Sequence, residues 1–172
     1  RELPGLDHHE GSRLAIVHIA TNMDPIMLVS ILIVTYNSSS VLHPCLDSIA
    51  TGTRLPYEMI VVDNNSHDGT PAFLHRYYPT VTVVENRRNR GFGAGVNQAS
   101  GVARGKYLAM LNPDTVVHPG ALDTLVSFLE ATPTAGICVP RVLQGHGEPQ
   151  RNHFQFGNPW RFWRSAFGAG VR

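Results

Sequence analysis

The sequence predicts an α/β fold, an open and mostly parallel sheet with helices on both faces. Three observations carry that expectation. Apolar, β-branched runs alternate with helix-like stretches five times between Leu28 and Val139, the pattern of parallel strands joined by right-handed crossovers. The first run, Leu28 to Val34, is apolar nearly throughout, as a strand covered on both faces should be. Polar residues gather where these runs end, and open parallel sheets bind ligands at the carboxyl ends of their strands.

The elements follow in order. Residues 1–27 show no period, and they are expected to form a poorly ordered extension. His8 and His9 there read as solvated, with metal binding the other reading. The chain opens on Arg1, so Met23 or Met27 is a candidate start of the domain. The strand through Val34 ends at Thr35-Tyr36-Asn37. Ser38 to Ser40 offer caps for a helix carrying Val41, Leu42, Cys45, Leu46 and Ile49, closed by Gly52. Tyr57 to Val62 is a second strand. Thr70 as cap and Pro71 in the first turn predict a helix through Tyr78. Val81 to Val84 is a third strand, Gly91 to Arg104 a glycine-rich helix entry, and Lys106 to Leu111 a fourth strand. Pro119 to Glu130 places Leu122, Leu125, Val126 and Leu129 on one helical face, and Gly136 to Val139 predicts a fifth strand.

Composition sets bounds. A chain of 172 residues suits one domain with a sizeable core. A net charge of +1 points neither to nucleic acid nor to an acidic surface. Cys45 in a predicted helix and Cys138 in a predicted strand read as small buried hydrophobes, with no disulfide framework or zinc spacing. The longest apolar run is too short to cross a bilayer, and no secretory signal precedes it. A reducing, cytoplasmic setting is the default.

Four strand ends carry the candidate chemistry. Leu111-Asn112-Pro113-Asp114 closes the run Tyr107 to Met110, read as a buried strand that delivers a carboxylate to the rim. Pro113 cannot donate to a ladder, so the strand stops there. Asp114 can take a hard divalent cation together with phosphate oxygens and waters, or the tetrapeptide is a plain Asn-Pro-Asp turn. Asn89 to Asn97 puts small residues where a helix begins, which suits a phosphate or close packing of helix on sheet. Its glycines do not fit a dinucleotide fingerprint, because the last spacing is wrong and the stretch follows the third strand. Arg87, Arg88 and Arg90 add positive charge, or form a solvated basic loop. Asp63 can accept the imide N–H of uracil or thymine, which cytosine lacks, or cap the following turn.

Taken in order, Val-Thr-Tyr-Asn at 34–37, Val-Asp-Asn-Asn-Ser-His-Asp-Gly-Thr at 62–70, Asn-Arg-Gly-Phe-Gly-Ala-Gly-Val-Asn at 89–97 and Leu-Asn-Pro-Asp at 111–114 resemble the family-2 inverting glycosyltransferases. Within them the likeness is to the bacterial rhamnosyltransferase-like group that builds cell-surface polysaccharide. It covers about Leu28 to Arg151. The resemblance implies a GT-A fold, a dTDP- or UDP-linked sugar donor, a glycan or lipid-linked acceptor, and a divalent metal, magnesium or manganese. It implies that Thr35, Tyr36, Asn37, Asp63 and Asn64 serve the nucleotide and that Arg90, Gly91 and Asn112 lie near the donor. Asn112 and Asp114 match the family's Asp-x-Asp-type motif with Asn in the first place, so Asp114 is the expected metal ligand.

The implied reaction is a single displacement at the anomeric carbon, with a carboxylate deprotonating the acceptor. In the family that carboxylate follows the metal motif, but no Asp follows Asp123 here. Glu130 and Glu148 do not stand in a matching context. The base is thus expected to be missing and the chain to be a truncated, nucleotide-binding half, with residues 152–172 beginning an acceptor-side region. The alternative function is a donor-binding fragment without transfer; a nucleotidyltransferase is more distant. Asn158 to Gly168 predicts a short helix with Trp160, Trp163 and Phe167 on one face, suited to packing on protein or to peripheral contact with the inner face of the membrane.

Overall fold

The structure, a computed structural model, describes residues 28–143 and 147–149. The predicted leader and the Trp160–Phe167 helix lie outside the described residues. The chain divides into two units, Arg1–Val126 and Ser127–Arg172.

In the first unit strand and helix alternate as predicted: β1 (Val29–Thr35), α1 (Ser39–Gly52), β2 (Tyr57–Asp63), α2 (Thr70–Tyr77), β3 (Thr82–Glu85), α3 (Phe92–Val102) and β4 (Tyr107–Leu111). The next helix, α4 (Ala121–Ala131), begins here and runs into the second unit. The strands form one parallel sheet in the order β3-β2-β1-β4. The core has two halves, one on each face. Val29, Ile31 and Ile33 of β1 pack with Leu42, Leu46 and Ile49 of α1, Leu74 of α2, and Leu122 and Val126 of α4. Leu32 and Val34 point the other way and pack with Ile60, Val62 and Ala99 of α3. β1 is buried along its whole length, which is why its sequence has no polar alternation.

The strand order fixes the functional end. The chain builds β1, β2 and β3 outward in one direction and then returns across β1 to lay down β4. The reversal lies between β1 and β4, and a crevice opens at the carboxyl ends of such a pair.

Four expectations need correction. β4 was expected to be a buried strand, yet Leu108 and Met110 are 49% and 60% exposed. Met110 lies in register with Leu32, so both are on the face that α3 covers. A helix about 10 Å across spans roughly two strands 4.8 Å apart, and α3 sits on β1 and β2. The face of β4 is left open. Gly136 to Val139 forms no strand. Ile137 and Val139 are exposed, and a strand forms only where a neighbouring strand takes up its ladder of backbone hydrogen bonds. Cys138 is accordingly half-buried outside any strand. Finally, Thr70 is not the cap of α2 but its first residue. Gly69, at φ +85°, holds the cap position, and a left-handed backbone there favours glycine.

Candidate functional site

The rim is built outward from Asp63, the last residue of β2. Its side chain is 1% exposed, and donors from inside the protein hold it. Thr35 Oγ1 donates to Oδ1 at 3.1 Å, Ser66 Oγ to Oδ1 at 2.5 Å and the Ser66 N–H to Oδ2 at 2.8 Å. A carboxylate offers about four acceptor positions, so roughly one, on Oδ2, remains. Thr35, expected to serve the nucleotide, therefore turns its hydroxyl inward, whereas the neighbouring Tyr36 is exposed.

Asn37 and the loop after β2 grip each other. The Asn37 N–H donates to Ser66 Oγ at 2.8 Å, and Asn37 Oδ1 accepts from the His67 N–H at 2.8 Å. Asn37 takes φ +51° and Asn65 φ +68°, a conformation asparagine tolerates better than most side chains. Asp68 completes this joint. It accepts from the Ser39 N–H at 2.8 Å and from the Thr70 N–H and hydroxyl at 3.1 and 2.6 Å. Burial alone would raise the Asp68 carboxyl, but the hydrogen bonds from Thr70 and Ser39 outweigh it and hold the group well below the usual carboxylate range.

A side-chain amide network carries the rim from β2 to α3. Asn64, 2% exposed, donates to the Gly91 carbonyl at 3.2 Å and accepts from Asn86 Nδ2 at 2.9 Å and the Arg90 N–H at 3.4 Å. Asn86 and Gln98 exchange two further bonds at 2.9 Å. This clamps the turn at Gly91, whose φ of +82° and ψ of 166° are essentially restricted to glycine. The glycines of this stretch have separate reasons. At Gly95 a side chain would meet Val34 Cγ1 at 2.7 Å, so close packing of α3 on the sheet requires it. At Gly93 a side chain would meet nothing within 4 Å. Arg87, Arg88 and Arg90 are all exposed.

Asn112 and Asp114 stand apart from this network, at the end of β4 beyond β1. Both are exposed. The Asn112 carbonyl accepts from the Thr115 N–H at 3.1 Å and from Cys45 Sγ at 3.7 Å. Burial and then the nearby charge of Asp114 push the Cys45 thiol up to about 11, so it stays protonated and able to donate. Asp114 itself makes no hydrogen bond or ion pair among the described residues.

The structure thus joins Thr35, Asp63, Asn64, Arg90 and Gly91 through direct bonds, brings in Asn37 through Ser66, and sets Asn112 and Asp114 across the switch point from them. Ser66, Asp68 and Gln98 escaped the sequence reading as site-building residues. Only Asp68 carried a usable signal, an Asp two places before a helical Thr-Pro.

The donor set decides what metal chemistry is open. Among the described residues no three His, Cys, Asp or Glu side chains lie close enough together to hold an ion. One free carboxylate does suit a hard cation that keeps waters and takes its remaining ligands from substrate phosphates. The residues therefore fit a shared metal site and not an all-protein cage.

Comparison with known proteins decides the family. The model of the family described as "Glycosyl transferase family 2" matches residues 30–169. The chain belongs to glycosyl transferase family 2. The four motifs point to the same family, and the parallel sheet is its GT-A fold. Relatives include the N-acetylglucosaminyl-diphospho-decaprenol L-rhamnosyltransferase of Mycobacterium tuberculosis, 30% identical over 125 residues that make up 66% of this chain and 41% of that protein. The poly(ribitol-phosphate) beta-glucosyltransferase of Bacillus spizizenii is 36% identical over 141 residues, 77% of this chain and 22% of the other. The succinoglycan biosynthesis protein ExoO of Rhizobium meliloti is 31% identical over 63% of this chain and 32% of its own length. The chain thus spans between about a fifth and two fifths of these curated relatives. Among solved structures, the mannosyltransferase PcManGT from Pyrobaculum calidifontis in complex with GDP-Man and Mn2+ matches with a TM-score of 0.60 and 28% identity, over 77% of this chain and 44% of the other. S. aureus TarS in complex with UDP-GlcNAc shares the fold at a TM-score of 0.58 and 24% identity, over 66% and 37%.

Proposed function

We propose that this chain is the nucleotide-sugar-binding part of a glycosyltransferase. The enzyme transfers rhamnose or a similar sugar from a dTDP- or UDP-linked donor to a cell-surface polysaccharide or lipid-linked acceptor, with inversion. One observation carries the reading. Asp114 is the one carboxylate of the Arg1–Val126 unit without a hydrogen bond or ion pair among the described residues, and it is exposed beside the switch point between β1 and β4.

The residues divide the donor between them. Asp63 offers its remaining acceptor position to an imide N–H, and exposed Tyr36 borders the base. Thr35, Asn37 and Asn64 hold that pocket in shape. The free N–H groups at the start of α3 and the Arg90 guanidinium face the diphosphate, with Gly93 leaving the approach open. Asn112 and Asp114 would hold a magnesium or manganese ion, which when bound neutralises charge on the leaving diphosphate. The M. tuberculosis and B. spizizenii relatives support a sugar-transfer reaction, and the Mn2+ of the Pyrobaculum structure supports the metal. The same reading puts the enzyme in the cytoplasm, at the inner membrane face when its acceptor is lipid-linked.

A second reading, donor binding without transfer, is favoured by the state of the other acids. Asp47, Glu58, Asp63, Asp68, Glu85 and Asp123 are all hydrogen-bonded within the unit. Each already accepts at least one hydrogen bond, which makes it a weaker base for the acceptor's proton, and general-base assistance is worth about 10²- to 10⁴-fold in rate. Incubation with dTDP-rhamnose, lipid-linked acceptors and manganese, followed by mass spectrometry, separates the readings. Turnover on the order of 1 s⁻¹ supports transfer. Donor binding without product supports the second reading, and failure to bind donor overturns both.

A further inference from the structure

We propose that one face of α1 is the positioning element for the Asn112–Asp114 loop, with Ser48 as its principal anchor. The inference rests on the donor-site reading above. Residues 112–120 form neither helix nor strand, and Asp114 makes no bond of its own to fix its carboxylate. Its place depends on how the backbone to either side is held.

α1 supplies that hold at three points in register along the loop. Cys45 Sγ donates to the Asn112 carbonyl at 3.7 Å, the Val117 N–H donates to Ser48 Oγ at 2.9 Å, and the Gly120 N–H donates to the Gly52 carbonyl at 2.8 Å. Positions 45, 48 and 52 are spaced by three and four residues, so they form one stripe of the helix. Ser48 is set for a single role. Its hydroxyl proton goes to the Cys45 carbonyl at 2.7 Å, leaving the oxygen to accept from Val117. A β-carbon at Gly52 would already touch the loop, 3.4 Å from the Val117 carbonyl oxygen and 3.5 Å from that of His118, so a branched side chain there would press on it. Asp114 sits between the anchors at 112 and 117. Ser48 touches no ligand and acts through the backbone that carries Asp114.

Groups that support a metal ligand from behind typically govern about 10- to 100-fold in metal affinity, and an anchor acting through backbone belongs at the lower end. The test is calorimetry of UDP binding in manganese and in EDTA for the natural chain, S48A, G52V and T51A, with thermal unfolding of each. S48A should lose about tenfold in UDP affinity with manganese and none in EDTA, a split that general destabilisation would not produce. G52V pushes the same loop from the neighbouring position and should behave alike, and it decides the matter if S48A does not fold. T51A removes a hydroxyl that bonds only within α1 and should match the natural chain. Folded S48A and G52V proteins that keep the full manganese-dependent gain would overturn the inference alone. A natural chain without any such gain would overturn the donor-site reading and this inference with it.

Discussion

Replacing Asn64 with alanine tests whether the amide network holds the Gly91 turn. The change removes three hydrogen bonds, to the Gly91 carbonyl, from Asn86 Nδ2 and from the Arg90 N–H. A net intramolecular hydrogen bond is worth about 0.5–1.5 kcal/mol. The 3.4 Å contact is weak, and Arg90 and Gly91 are exposed enough to turn to water. Asn86 keeps its bond to Gln98. The sum is about 2 kcal/mol, or a fall in Tm of about 4–8 °C for a domain of this size. Because the turn presents the start of α3, UDP affinity should fall as well. Thermal unfolding by circular dichroism and calorimetric titration read the two effects. Gln98→Ala, which breaks only the outer pair, should cost less on both. An Asn64→Ala protein with the natural Tm and UDP affinity would refute the clamp.

Other outcomes follow from the same geometry. If Asp63 reads an imide N–H, UDP and dTDP should raise the Tm of the natural chain while CDP does so far less, the difference being about 1.5–3 kcal/mol for a bond to a charged group; equal shifts would remove that role. Asp68 has a folded pKa depressed below its unfolded value near 3.9, so its stabilisation is present above that value and disappears as pH falls through the folded pKa. Unfolding from pH 7 to pH 2 should therefore cost the natural chain more Tm than Asp68→Asn, and parallel losses would count against it. Gly95→Ala forces a methyl against Val34 and should cost about 1–3 kcal/mol. Gly93→Ala meets open space and should gain up to about 1 kcal/mol in helix propensity while weakening donor binding, so both variants falling in Tm would contradict the separate roles of the two glycines.

How much of this the sequence disclosed depends on what each feature needs. β1 was legible because burial on both faces leaves a run, Val29 to Val34, that is apolar except for Ser30 and that no surface element would carry. The rim was legible because Thr35, Asp63, Asn86 and Asn112 each stand at or just past a strand end, and parallel strands send all such ends to one side. The family was legible from four motifs in order. β4 misled because Leu108 and Met110 look like core residues, yet a sheet edge beyond the reach of α3 leaves them open. The run at Gly136 to Val139 misled for the related reason that a strand requires a partner, which local sequence does not report. The Asn64–Asn86–Gln98 network was hidden because its members are 22 and 12 residues apart and asparagine and glutamine in loops have many ordinary uses. The α1 anchors were hidden too, since Cys45 and Ser48 look like routine helix positions until the loop lies across them.

The central claim is that the rim binds a nucleoside diphosphate through a metal that Asp114 shares with the phosphates. Calorimetric titration of manganese, with and without UDP or dTDP, into the natural chain and Asp114→Asn tests it most directly. Manganese should bind the natural chain weakly alone and tightly with nucleotide, and Asp114→Asn should lose the nucleotide-dependent gain. Tight manganese binding without nucleotide, or equal binding by Asp114→Asn, would contradict the claim.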